Sequence, residues 1–208
     1  MIDFQQQGIQ IVLGQATSFV STTTAKAATV FGMIQQSYAA TSPSLSDRIT
    51  YKYFSRILPP DDFQVNAMMA LLSHLSEKTG QVQWREVAII STTDAYGLGL
   101  ANAFINDHHA KNFEVLGFQQ FIPGAIDISV EMQEMKQTKS RVFFACLLFS
   151  DWETVVNSAI ELEIIGDAHI WLCPDGCTTV DSYTTNNEID YVEVAAMTGS
   201  DFPISILI

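Results

Sequence analysis

The side chains able to do chemistry gather in six short segments: residues 14–18, 39–47, 59–62, 92–97, 149–151 and 174–179. They are rich in Ser, Thr, Asp and Tyr. That composition suits a small polar ligand held by neutral hydrogen bonds, helix N-termini and a few carboxylates. Gly97-Leu98-Gly99 offers a G-x-G, but Asn102 stands where a dinucleotide fingerprint needs its third small residue, and the glycines fall too far past the preceding strand. There is no G-x-S-x-G elbow and no P-loop. His74, His108, His109 and His169 form no metal-ligand spacing with Cys or carboxylates. Neither an enzyme nor a cofactor or metal is expected. Cys146 sits in an apolar run and reads as a buried inert thiol, whereas Cys173 and Cys177, at Cys-x₃-Cys spacing, could close a small loop or stay reduced.

Charge narrows the partners. The 208 residues carry a formal net charge of −13, and phosphate-backbone binding depends on Lys and Arg, so nucleic acid is not an expected partner. The charge is uneven. Residues 1–84 hold five basic side chains (Lys26, Arg48, Lys52, Arg56, Lys78) and five acidic ones (Asp3, Asp47, Asp61, Asp62, Glu77); residues 85–208 hold five basic and eighteen acidic. This asymmetry predicts two units divided near residue 84. No stretch reaches the ~20 apolar residues of a membrane span, and the first residues lack a signal-peptide pattern.

The elements that must hold these segments follow from apolar periodicity. Strands are predicted over residues 9–13, 34–39, 53–58, 87–91, 113–118, 141–149, 169–173 and 191–197, and helices over 18–32, 63–79, 96–111, 126–138 and 151–165. In the 63–79 helix Phe63, Ala67, Met68, Leu71, Leu72 and Leu75 form one apolar face, with Asp61 or Asp62 placed to cap its start and Gly80 to end it. Strands alternating with helices predict an α/β fold with parallel sheets. In such sheets ligands sit at the carboxyl ends of the strands, where the six polar segments fall.

Two blocks then resemble a known family. Ser37-Tyr38-Ala39-Ala40-Thr41-Ser42-Pro43-Ser44-Leu45-Ser46-Asp47 and Tyr51-Lys52-Tyr53-Phe54-Ser55-Arg56-Ile57-Leu58-Pro59-Pro60-Asp61 are similar to the receptor family ligand-binding region. This is the type 1 periplasmic-binding-protein fold of metabotropic glutamate, GABA-B-type and natriuretic-peptide receptor ectodomains and of bacterial branched-chain amino-acid binding proteins. Gly14-Gln15-Ala16-Thr17-Ser18 resembles the family's Gly-Pro-x-Ser-Ser turn, Asp94-Ala95-Tyr96-Gly97 its Asp-x-Tyr-Gly turn, and Trp171-Leu172-Cys173-Pro174-Asp175-Gly176 its Gly-Ser-Asp-x-Trp segment. Gln15, Ala39 and Pro174 depart from those patterns.

The resemblance implies two α/β lobes with parallel sheets flanked by helices: an incomplete lobe 1 over residues 1–84 and lobe 2 over 85–208. It implies an extracellular (or, in a bacterium, periplasmic) sensor that closes on an amino acid or analogue. A dimer through lobe 1 and membrane attachment through segments outside this chain would accompany it, and a soluble transporter component is the alternative. By resemblance Ser18, Thr41 and the Ala39 backbone take the ligand carboxylate, while Asp61, Tyr96 and Asp175 face its ammonium. The physics is compatible, because hydroxyls and N–H donors at helix starts favour an anion and Asp with a Tyr face favours a cation. Plainer roles are also open: Thr17 or Ser18 as the cap of the following helix, Asp61 as a helix cap and Asp175 as a turn former.

Overall fold

Strands and helices alternate along the chain and assemble into two separate sheets. The computed structural model describes residues 1–166, 169–177, 191–193 and 205–207. After a short helix α1 (Ile2–Gln6) come β1 (Ile11–Leu13), α2 (Ser18–Phe31), β2 (Ile34–Ser37) and β3 (Phe54–Arg56). These strands form a parallel sheet in the order β1-β2-β3, with Ile11 opposite Ile34 and Gln35 opposite Phe54. Gly32, at φ 67°, ends α2 in the left-handed conformation that glycine adopts without a Cβ penalty. Ala25 of α2 packs with Ala40, Leu45, Tyr51 and Phe54 in a small core.

The second sheet is built from β4 (Glu86–Thr92), β5 (Glu114–Phe121), β6 (Val142–Cys146), β7 (Ile170–Cys173), β8 (Tyr191–Glu193) and β9 (Ser205–Leu207), in the order β5-β4-β6-β7-β9-β8. Its helices are α3 (Asp62–Thr79), α4 (Ala95–Asp107), α5 (Ser129–Gln137) and α6 (Phe149–Glu161). β4 and β6 lie in the interior of the sheet, and their side chains divide between two cores with the period of two that a pleated strand imposes. Val87, Ile89, Val142 and Phe144 face α3 and α4; Ala88, Ile90, Phe143 and Ala145 face α5 and α6. Such strands, covered on both faces, read as continuous apolar runs.

The predicted α/β architecture of parallel strands flanked by helices is the one observed. Its details differ in three places. β9, which no pattern predicted, runs antiparallel to both β7 and β8. The run 141–149 yields a strand only to Cys146, and Phe149 opens α6, because apolar content alone cannot mark where a buried strand gives way to a buried helix. In α3 the buried face is Val65, Met68, Met69 and Leu72, while Phe63 is 59% exposed. Of the predicted strand 191–197, residues 194–197 lie outside the described residues.

The division at residue 84 follows surface charge and not packing. α3 belongs to the neutral segment, yet its apolar face joins the core of β4, α4 and β6. The hydrophobic core therefore changes between β3 and α3, close to Asp61. Net charge records which side chains are solvated, and a helix can carry a neutral surface on either core.

Candidate functional site

The two sheets present their strand ends to the junction around Asp61. β1 runs into Gly14, whose φ of 120° suits glycine, and the chain then enters α2 with Thr17 as its cap: the Val20 N–H donates to Thr17 Oγ1 at 3.4 Å. The cap is thus Thr17, which leaves Ser18 for another partner. Ser18 is buried, and its Oγ accepts the Ser42 N–H at 3.0 Å. Ser37, at the end of β2, organises the adjoining turn: its hydroxyl donates to the Gln15 carbonyl at 2.5 Å and accepts the Ala40 N–H at 2.8 Å and the Ala39 N–H at 3.2 Å. The Ala39 N–H, expected to be offered to a ligand, is therefore already bonded to Ser37.

Thr41 is buried and its carbonyl accepts the Asp61 N–H at 3.0 Å. Arg56 of β3 donates from Nη1 to the Ser42 carbonyl at 2.8 Å and from Nη2 to the Ser46 hydroxyl. Asp61 occupies the position before α3, but its side chain makes no capping bond. Instead its Oδ1 accepts from Gln64 Nε2 at 3.1 Å, and Oδ2 is buried without a hydrogen-bond partner. Burial pushes the Asp61 carboxyl up to about 7; the Thr41 hydroxyl opposes the rise, Asp175 adds to it, Arg56 opposes it and Asp62 adds to it.

The remaining groups come from the second sheet. Asp94 caps α4, accepting the N–H groups of Tyr96 (3.0 Å) and Gly97 (2.8 Å), which is the structural reason for the Asp-x-Tyr-Gly pattern. The cap turns the Tyr96 side chain toward Asp175, and the phenol donates to Asp175 Oδ1 at 2.6 Å while accepting the Gly176 N–H at 3.0 Å. Burial, with the charges of Asp175 and Asp61, holds the Tyr96 phenol well above the usual range, so it stays a donor at neutral pH. Asp175 begins a single turn closed by the Cys173–Cys177 disulfide, with Cα atoms 5.9 Å apart. Cys146 is free and buried, and burial pushes its thiol up.

The structure thus brings Ser18, Thr41, Asp61, Tyr96 and Asp175 into one region, with Ala39 in the turn beside them. Sequence reasoning missed Gln64. It is 2% exposed on an otherwise apolar helix face, and its Oε1 accepts the Asp175 N–H at 3.1 Å. A polar residue one helical turn beyond Asp61, between the apolar positions of the same helix, was the available signal. The two glycines of the G-x-G pack tightly. A Cβ on Gly97 would lie 2.6 Å from the Cys146 carbonyl oxygen, and one on Gly99 would lie 2.9 Å from Ser42 Oγ. Hydroxyls and a helix start on one side, with two carboxylates and a phenol on the other, can hold opposite charges of one small molecule. Among the described residues no group of three or more His, Cys, Asp or Glu is placed to hold a metal ion.

A two-sheet α/β fold with polar strand-end loops meeting at the junction is that of the periplasmic-binding-protein-like class, and the sequence profile of the receptor family ligand binding region matches residues 1–202. The chain belongs to that family. It is 29% identical over 184 residues to metabotropic glutamate receptor-like protein E of Dictyostelium discoideum, covering 85% of this chain and 22% of that protein. Over 93 residues it is 37% identical to human metabotropic glutamate receptor 8 (45% of this chain, 10% of the receptor). Over 185 residues it is 27% identical to human G-protein coupled receptor family C group 6 member A (85% and 19%). The chain spans between a tenth and about a fifth of the length of these relatives.

Proposed function

We propose that this chain is part of the extracellular sensor of a class C-type receptor and binds an α-amino acid or a similar zwitterion between its two sheet units. The observation that carries the reading is the bonded series Ser18–Ser42, Thr41–Asp61, Asp61–Gln64, Gln64–Asp175 and Asp175–Tyr96, which spans both units. Ser18 and Thr41, beside the start of α2, face the ligand carboxylate. Asp61, Asp175 and the Tyr96 ring face its ammonium. A ligand touching both units stabilises the closed arrangement by its differential contacts, and closure is the signal. Dimerisation through the three-stranded unit, and attachment to a membrane through segments outside these 208 residues, belong to the same reading. The receptor names of the relatives favour it over a transporter component.

Titration calorimetry against the twenty L-α-amino acids tests it. At least one should bind, and Thr41→Ala and Asp175→Ala should each weaken that binding by ~10-fold or more, the loss expected for a charge-assisted hydrogen bond. No binding by any amino acid, or binding indifferent to both substitutions, overturns it.

A further inference from the structure

Gln64 lies on the buried side of α3 among Val65, Met68 and Met69, and both ends of its amide are used. Nε2 donates to Asp61 Oδ1 at 3.1 Å, and Oε1 accepts the Asp175 N–H, 111 residues away in sequence, at 3.1 Å. The amide has one workable orientation. Flipped, it would aim its NH₂ at an N–H and its carbonyl at a carboxylate. Asp61 Oδ1 is therefore satisfied, and Oδ2 is left buried and unpartnered. The Thr41 hydroxyl lies near enough to favour the charged carboxylate but makes no hydrogen bond to Oδ2, and the charged groups around it supply no donor either. Arg56 on β3 is committed to the Ser42 carbonyl and Ser46 hydroxyl, Asp62 and Asp175 carry the same sign as Asp61, and the Tyr96 phenol donates to Asp175. An acceptor buried without a partner is costly, and its natural complement is a cationic donor.

We propose that Gln64 is a positioning residue: it yokes Asp61 to the Asp175 turn and leaves Asp61 Oδ2 as the atom that receives the ligand's cationic group. The yoke stands on geometry alone; the docking of a cationic group rests on the amino-acid reading above. Because Gln64 ties a group at the junction to a turn after β7, the two carboxylates approach a ligand as one unit, and neither can be displaced without the other.

The ligand-free chain decides the yoke. Carbon-13 NMR follows the Asp61 carboxyl with pH, and amide hydrogen exchange follows the Asp175 N–H, in wild type, Gln64→Leu and Gln64→Glu. Gln64→Leu should raise the Asp61 midpoint by about one pH unit, because a donor to the carboxylate is lost, and speed Asp175 exchange by ~10-fold. Gln64→Glu keeps an acceptor for the Asp175 N–H, removes the donor and adds a like charge beside Asp61, so it should raise the Asp61 midpoint and leave Asp175 exchange slow. An Asp61 midpoint unchanged in Gln64→Glu overturns the yoke, even where Gln64→Leu fails to fold. The docking is read by calorimetry with the same twenty amino acids. Those that bind wild type should bind Gln64→Leu, or Gln64→Glu where Leu does not fold, with altered affinity by ~10-fold or more. Unchanged affinity overturns the docking. Wild-type binding by none of them overturns the amino-acid reading and the docking with it, while titration and exchange still judge the yoke.

Discussion

Asp61→Asn should make the ligand-free protein more stable at pH 8 and no more stable at pH 4. The Asp61 side chain is fully buried, with one oxygen unpartnered, and its carboxyl is raised from 3.8 to about 7 by burial above all. Between those values the folded chain keeps a proton that the unfolded chain has released. Raising the pH through this window therefore favours unfolding. The contribution of Asp61 to stability is intact below pH 3.8, falls across the window, and is lost once pH exceeds about 7. A rise of this size corresponds to about 4 kcal/mol, an order-of-magnitude figure. Asparagine matches the protonated acid in shape, its oxygen can still accept from Gln64, and it cannot ionise. Urea unfolding of wild type and Asp61→Asn between pH 4 and 8 measures the difference, which should grow with pH toward about 4 kcal/mol and plateau above pH 7. A difference independent of pH would refute the reasoning, because the cost would then not come from the charge. The same substitution should abolish amino-acid binding, so a residue that destabilises the empty protein would be the one its ligand requires.

Three further outcomes follow from packing and bonding. Gly97→Ala places a Cβ against backbone oxygens that cannot move aside, 2.6 Å from both Thr92 and Cys146 carbonyls, and should cost at least about 2 kcal/mol in denaturant unfolding. Gly99→Val should leave α4 intact but push it from the turn it touches, since a Cβ there lies 2.9 Å from Ser42 Oγ and 3.0 Å from Pro43 Cδ; amino-acid affinity should fall by ~10-fold with the melting temperature moving by only a few degrees. Thiol titration should find no reactive cysteine in the native protein, one in denaturant from buried Cys146, and three after reduction of the Cys173–Cys177 bridge.

Much of the architecture was legible because it depends on local patterning. Periodicity located β4, β6, α2 and α4 to within a few residues, since a strand or helix with a buried face must repeat its apolar residues at that element's own period. Where the pattern was uniform, as from Val142 to Phe149, the strand–helix boundary was hidden. Asp61 shows the same limit at the site. Its place before an apolar stripe matches a helix cap, yet its carboxylate turns toward Gln64, and only its burial, with Asp175 nearby, shows that the position is electrostatically costly.

By itself the sequence determined the α/β class, the kinship with a receptor ligand-binding family, and the polar segments from which a site is made. These are properties of residue types at short spacings. The tertiary structure decided which core α3 joins, that Thr17 and not Ser18 caps α2, that the Ala39 N–H is already bonded, and that Gln64 links Asp61 to Asp175. The physical reason is distance along the chain. Asp175 lies 79 residues from Tyr96 and 111 from Gln64, and no local pattern encodes which distant N–H or hydroxyl a buried side chain will meet once two sheets have packed.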